Sequence, residues 1–134
     1  MWFCPECRRG FKRTNQSHEC APAMQLEDYL AGAPAWEPGI IAAITDHLSS
    51  VGPIHVEPVA VGVFFKASGS LIELRTMTRW SRLWIPLPVE VHDRRLIVRA
   101  RSGGKVFHTI DLDDSNAVDD DIRSWMSMAY AAFG

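Results

Sequence analysis

The sequence predicts an α+β fold. A small N-terminal finger is followed by a two-layer domain, an antiparallel sheet of about five or six strands with helices on one face. Three observations lead there. All three cysteines fall within the first twenty residues, interleaved with a histidine. Apolar residues recur with a period of two from Ile54 to Ile110, as a half-buried sheet requires. Stripes at helical spacing flank that stretch, with Ile40, Ile41, Ile44, Leu48 and Val51 before it and Val118, Ile122, Trp125, Met126, Ala129 and Phe133 after it. The divisions expected are a finger over 1–22, a linker with a short helix over 23–36, and the α+β domain over 37–134.

Cys4, Cys7, His18 and Cys20 stand in the order C-x2-C, ten residues, H-x-C. Three thiolates and one imidazole form a common ligand set for one structural zinc ion, and four protein donors leave no open position for water or substrate. With only three cysteines and no fourth to complete two pairs, a disulfide framework explains the pattern poorly. Cys4-Pro5-Glu6-Cys7 suits a tight knuckle, and Phe11, Trp2 and Phe3 supply a miniature core. Thr14 to His18 is expected to make about one helical turn that presents His18, with Cys20 just beyond it. So short a segment depends on its metal for much of its folding free energy.

Ala21 to Trp36 is rich in alanine and proline, and Leu26, Tyr29 and Leu30 mark a short docking helix. Pro38 then opens a helix that Gly52-Pro53 stops. Strands are expected near Ile54–Glu57, Val59–Lys66, Leu71–Thr76, Arg82–Leu87, Leu96–Arg101 and Lys105–Ile110, as an antiparallel meander. Ser68-Gly69 and Ser102-Gly103-Gly104 provide turn chemistry, and Pro86 and Pro88 mark a strand end or edge. Ser115-Asn116 announces the last helix, whose acidic first turn is Asp119 to Asp121.

The overall charge of −2 hides an asymmetry: residues 66–105 hold nine bases against Glu73, Glu90 and Asp93, whereas 111–121 carry six aspartates. If Val61, Val63, Phe65, Ile72, Leu74, Leu83, Ile85, Leu87, Leu96, Val98 and Ala100 face the helices, alternation puts Phe64, Lys66, Glu73, Arg75, Arg82, Trp84, Arg99 and Arg101 outward. Lys66, Arg75, Arg82, Trp84, Arg99 and Arg101 are the candidate ligand-binding residues, a basic face with aromatics of the kind that takes phosphates and stacks unpaired bases. The bland account is a wettable sheet face whose arginines cover neighbouring carbon. A protein partner or self-association through the same aromatics is the rival use.

No glycine-rich phosphate loop, nucleophile elbow or H-E-x-x-H helix occurs, so no catalytic residue is assigned, and an enzyme would have to be of a type these motifs do not reveal. His55, His92 and His108 are scattered, with His108 a candidate for the core. No apolar run approaches a membrane span, and the N-terminus lacks the basic-then-apolar order of a secretory signal, so no membrane partner and a cytoplasmic location are expected.

Trp2-Phe3-Cys4-Pro5-Glu6-Cys7, Phe11, Asn15-Gln16, His18 and Cys20-Ala21-Pro22 resemble the finger ahead of the bacterial domain of unknown function numbered 5655. Gly52-Pro53, Val56-Glu57-Pro58, Phe64-Phe65-Lys66, Asp119, Asp121, Trp125 and Ala129-Tyr130 are similar to that family's later landmarks. The resemblance implies a small stand-alone α+β protein, from a family whose related domains occur beside nuclease-like or DNA-associated regions. It implies no activity, and only the four metal ligands carry over. The expectation is a non-catalytic zinc-containing binding module, with nucleic acid narrowly preferred over a protein partner.

Overall fold

A computed structural model describes residues 1–134. Its elements are β1 (Trp2–Phe3), β2 (Gly10–Phe11), α1 (Leu26–Gly32), α2 (Glu37–Val51), β3 (His55–Val59), β4 (Gly62–Lys66), β5 (Ser70–Thr76), β6 (Ser81–Leu87), β7 (Ile97–Ser102), β8 (Lys105–Leu112), a 3-10 turn (Ser115–Ala117) and α3 (Asp120–Phe133). Strands β1 and β2 pair within the finger, and the other six form one antiparallel sheet in the order β3-β4-β5-β6-β8-β7.

The α+β architecture is as expected, but the sheet is not a pure meander. Strand β8 enters between β6 and β7, leaving β7 at the edge. Its alternation explains the placement: Val106, His108, Ile110 and Leu112 all turn inward and are buried, whereas most of β7 is exposed. The strand with the apolar set takes the interior position. Gly103 and Gly104, at φ 58° and 77°, close the β7–β8 hairpin in the left-handed conformations its turn demands.

The core lies between the inner face of the sheet and α2 and α3. Ile40, Ile41, Ile44 and Leu48 of α2 meet Ile122, Met126 and Ala129 of α3 over Val63, Phe65, Leu74, Leu83, Ile85 and Leu87. Each of these side chains larger than alanine contributes about 1.5–3 kcal/mol by leaving water, so these two stripes dominate the fold's stability. His108 is part of this core, its Nε2 accepting the Val91 amide at 3.0 Å. Asp119 caps α3 by accepting from the Ile122 amide at 3.0 Å. No helix is long and apolar enough to cross a membrane.

Val61 does not face the helices: it occupies the β3–β4 turn and is 63% exposed. In β7 the register shifts between Val98 and Ala100, so Ala100 lies opposite Phe107 and Arg101 opposite Val106. The bulge reverses the expected alternation beyond Val98. Helix α1 lies within residues 23–36, and Tyr29 plugs it into the core through a polar knot. Glu37, at the start of α2 and fully buried, accepts from the hydroxyls of Tyr29, Ser81 and Thr76, the last at 2.9 and 2.8 Å to its two oxygens.

Candidate metal centre and the sheet face

The finger is a knuckle closed by its backbone. The Arg8 amide donates to the Cys4 carbonyl at 2.8 Å, and the Cys4 amide donates to the Arg9 carbonyl at 3.0 Å. Arg8 takes φ 63°, a left-handed conformation that turns the chain directly after Cys7. The segment from Thr14 to His18 is not the helical turn the sequence suggested. Asn15, at φ 55°, ends a turn there, and the chain reaches His18 and Cys20 without regular structure.

That path brings Cys4, Cys7, His18 and Cys20 together, with all four donor atoms within 4.8 Å of one another. The Cys4 and Cys20 sulfurs are 3.8 Å apart, and His18 Nε2 lies 3.4 Å from the Cys7 sulfur and 3.2 Å from that of Cys20. Zinc–sulfur and zinc–nitrogen bonds of about 2.3 and 2.0 Å place tetrahedral donors about 3.5–3.8 Å apart, so the spacing fits one four-coordinate ion. The Nδ1 of His18 donates to the Gln16 carbonyl at 2.6 Å, which turns the Nε2 lone pair toward the sulfurs, as metal-bound imidazoles require. Phe11 stacks on the imidazole at 4.0 Å and Trp2 meets its edge at 6.0 Å, fixing the ring's plane.

Electrostatics favour a cation there. Cys4 is lowered to about 6, chiefly by the Cys7 backbone amide, whereas Cys20 is pushed up to about 12 by desolvation and by the Cys4 sulfur beside it. The protein alone favours the thiolate of Cys4 and resists that of Cys20. A divalent ion held by the four donors would remove that resistance.

The finger is bolted to the outer side of the sheet. Glu57 of β3 accepts from Arg9 Nε and from the Gly10 amide, both at 2.8 Å, and Lys66 Nζ lies 2.8 Å from the same carboxylate and 2.7 Å from the Gly10 carbonyl. Both Glu57 and Lys66 are 1% exposed. Burial alone would raise Glu57, but Lys66, Arg9 and the Gly10 amide outweigh it and hold the carboxyl below its usual value. Burial also lowers Lys66, against the pull of Glu57. Arg9 and Lys66 lie over both Phe11 and Phe64, at 4.7–5.6 Å from the ring centres, so the finger covers this corner of the face.

Lys66 therefore sits on the outward side, as alternation requires, but beneath the finger, with no access to a ligand. Arg101, beyond the bulge, leaves the outward face and pairs with Glu90. Arg75, Arg82, Trp84 and Arg99 do share that face. Arg75 pairs with Glu73 at 2.8 Å while covering Trp84 at 5.9 Å, and Arg82 forks onto Asp111 at 2.8 and 3.3 Å. Arg99 donates to Thr109 at 2.9 Å. Three arginines against two carboxylates leave a weakly positive, salt-laced surface.

His55, His92 and His108 are not gathered. His92 lines an open hollow of about 430 Å³ with Glu90 and Asp93, carboxylates already paired with Arg101 and Arg95. Comparison with protein-family profiles, curated proteins and solved structures returned no match.

The Glu57–Lys66 bolt and the Glu37 knot were missed by sequence reasoning. Alternation put Lys66 outward, but nothing local identified the finger as its cover. A glutamate beside Pro38 reads as a solvated first-turn acid.

Proposed function

We propose that the protein is a non-catalytic binding module in which one structural zinc ion shapes the finger, and that its ligand is nucleic acid met first by the finger. The observation that carries this reading is the distribution of unpaired cations. Arg8, Lys12 and Arg13 of the finger make no ion pair, whereas Arg75 and Arg82 on the sheet face already hold carboxylates. A phosphate meets the finger without displacing an internal partner, and the Glu57 bolt holds those cations at a fixed place relative to the sheet. Trp84 and Arg99 then stand as secondary contacts for an unpaired base and a phosphate.

Binding of the zinc-loaded protein to labelled single- and double-stranded oligonucleotides over a salt series tests this. Neutralising three phosphates of a single strand gives log affinity falling against log salt with a slope of about −2. Absence of binding at low salt, or binding indifferent to salt, would overturn it.

One observation favours a second reading, association with another protein chain. Strand β7 is an open edge whose Ile97 is 49% exposed, and Val89, in the segment that leads to it, is 56% exposed. An uncovered edge of this kind templates strand pairing. Mass that rises with concentration in the native protein and not in an Ile97→Lys variant would support self-association, and unchanged mass would remove it.

A further inference from the structure

A cleft of about 480 Å³ opens where the finger, the β4–β5 turn, the start of β8 and the end of α3 converge. Lys12, Arg13 and Gln16 line it from the finger, Ser68, Gly69 and Ser70 from the turn, and Lys105 and Phe133 from the far wall. No carboxylate lines it, and none of its three cations makes an ion pair. Lys105 is held over the Phe133 ring at 5.1 Å, which presents its ammonium at the wall.

The hydrogen-bonding groups point the same way. The Ser68 and Ser70 hydroxyls have no partner in the protein, and the Gln16 side-chain oxygen is already occupied by the Arg13 amide, so its NH2 is what remains. The cleft is thus rich in donors and carries three positive charges. A single phosphodiester brings one negative charge, whereas a phosphomonoester brings close to two and three strong acceptor oxygens. An extended strand is read by a groove or a flat platform, but this is a recess, large enough for one nucleotide.

We propose that this cleft is a phosphomonoester site that receives the terminal phosphate of a nucleotide, free or at the end of a nucleic-acid strand, with Lys12, Arg13 and Lys105 as its charges and Phe133 beside the sugar or base. It rests on the nucleic-acid reading only for the source of the phosphate. The docked finger forms one wall of the cleft, because Lys12 packs against Gly69, where an added Cβ would come within 3.1 Å of the lysine Cβ.

The test uses the full zinc-loaded chain and its K12Q/K105Q and Ser70→Glu variants, the latter placing an acid at an exposed lining position. Four probes are titrated: inorganic phosphate, adenosine 5′-monophosphate, and one oligonucleotide with either a 5′-phosphate or a 5′-hydroxyl. The wild type is expected to favour the phosphorylated strand by at least about tenfold, and both variants to lose that preference while melting as the wild type does. Tight binding of both strands without preference would overturn the cleft and leave the nucleic-acid reading standing. Binding of the mononucleotide alone, abolished in both variants, would support the cleft and overturn the nucleic-acid reading. No binding of any probe, or a preference that survives in both variants, would overturn the cleft.

Discussion

Glu57 joins two parts of the chain that neither could hold alone. Its carboxylate takes an amide and a guanidinium from the finger and an ammonium from its own sheet, all from a position closed to solvent. Removing one partner of a buried ion pair costs up to about 3–5 kcal/mol, and Arg9 and the Gly10 amide, which stay on Glu57, lessen that cost when Lys66 is lost. Lys66→Met should therefore destabilise the protein in urea melts by less than that full amount but by more than Arg75→Ala, whose exposed pair with Glu73 contributes at most about 1 kcal/mol. Equal effects would show that the buried pair is no bolt. Glu37 poses the opposite chemistry, a buried carboxylate satisfied by hydroxyls alone, and burial together with that carboxylate pushes Tyr29 well above its usual value. Neither acid was legible in sequence as a buried residue. Hydrophobic periodicity assigns faces, but what covers a face depends on segments dozens of residues away, as Arg9 is from Glu57.

At the scale of elements the sequence spoke more clearly, because capping and periodicity are local. The acidic turn at Asp119–Asp121 opens α3, with Asp119 as its cap. Its carboxyl is held below the usual value by the Ile122 amide first and then by Arg95. Asp119→Ala should cost about 1 kcal/mol, within a range of about 0.5–2, and Asp119→Asn should retain most of the cap, as thermal unfolding would show. The topology of β7 and β8 was less legible. Both read as alternating strands, and only the competition for an interior position, which β8 wins with Val106, His108, Ile110 and Leu112, decides that the chain skips to the edge and returns. The bulge at Arg99 moved Arg101 to the other face for a similar reason: no local residue announces an extra one in the ladder. The gathering of Cys4, Cys7, His18 and Cys20 was legible, since thiols and an imidazole at these spacings have few other uses, although the loop presenting His18 is not helical.

Across the whole molecule, stability should fall on the acid side. Glu57, Glu90, Asp93 and Asp119 are all held below their usual values. Groups depressed in this way add stability that is fully present above about pH 4, the ordinary carboxylate range, and is lost as pH falls through their lower folded values. With a metal held by Cys4, Cys7, His18 and Cys20, protonation of its ligands would add metal release on the acid side. Plotted against pH, the unfolding free energy of the native protein should drop steeply below about pH 4, and Glu57→Gln should flatten that limb while lowering the plateau. An unchanged slope would remove Glu57 from the account. The α+β core contains no metal ligand, and its two helices bury their stripes against the sheet without help from the finger. Chelation should therefore undo the finger and spare the core. Amide exchange reads this most directly through Gly10, whose N–H reaches Glu57 only while the finger is docked. With one zinc per chain, Gly10 should exchange as slowly as the core strand residues Leu74 and Ile85, and after chelation it should exchange freely while those two stay protected. Protection of Gly10 that survives complete removal of the metal would contradict the claim that the ion holds the finger in place.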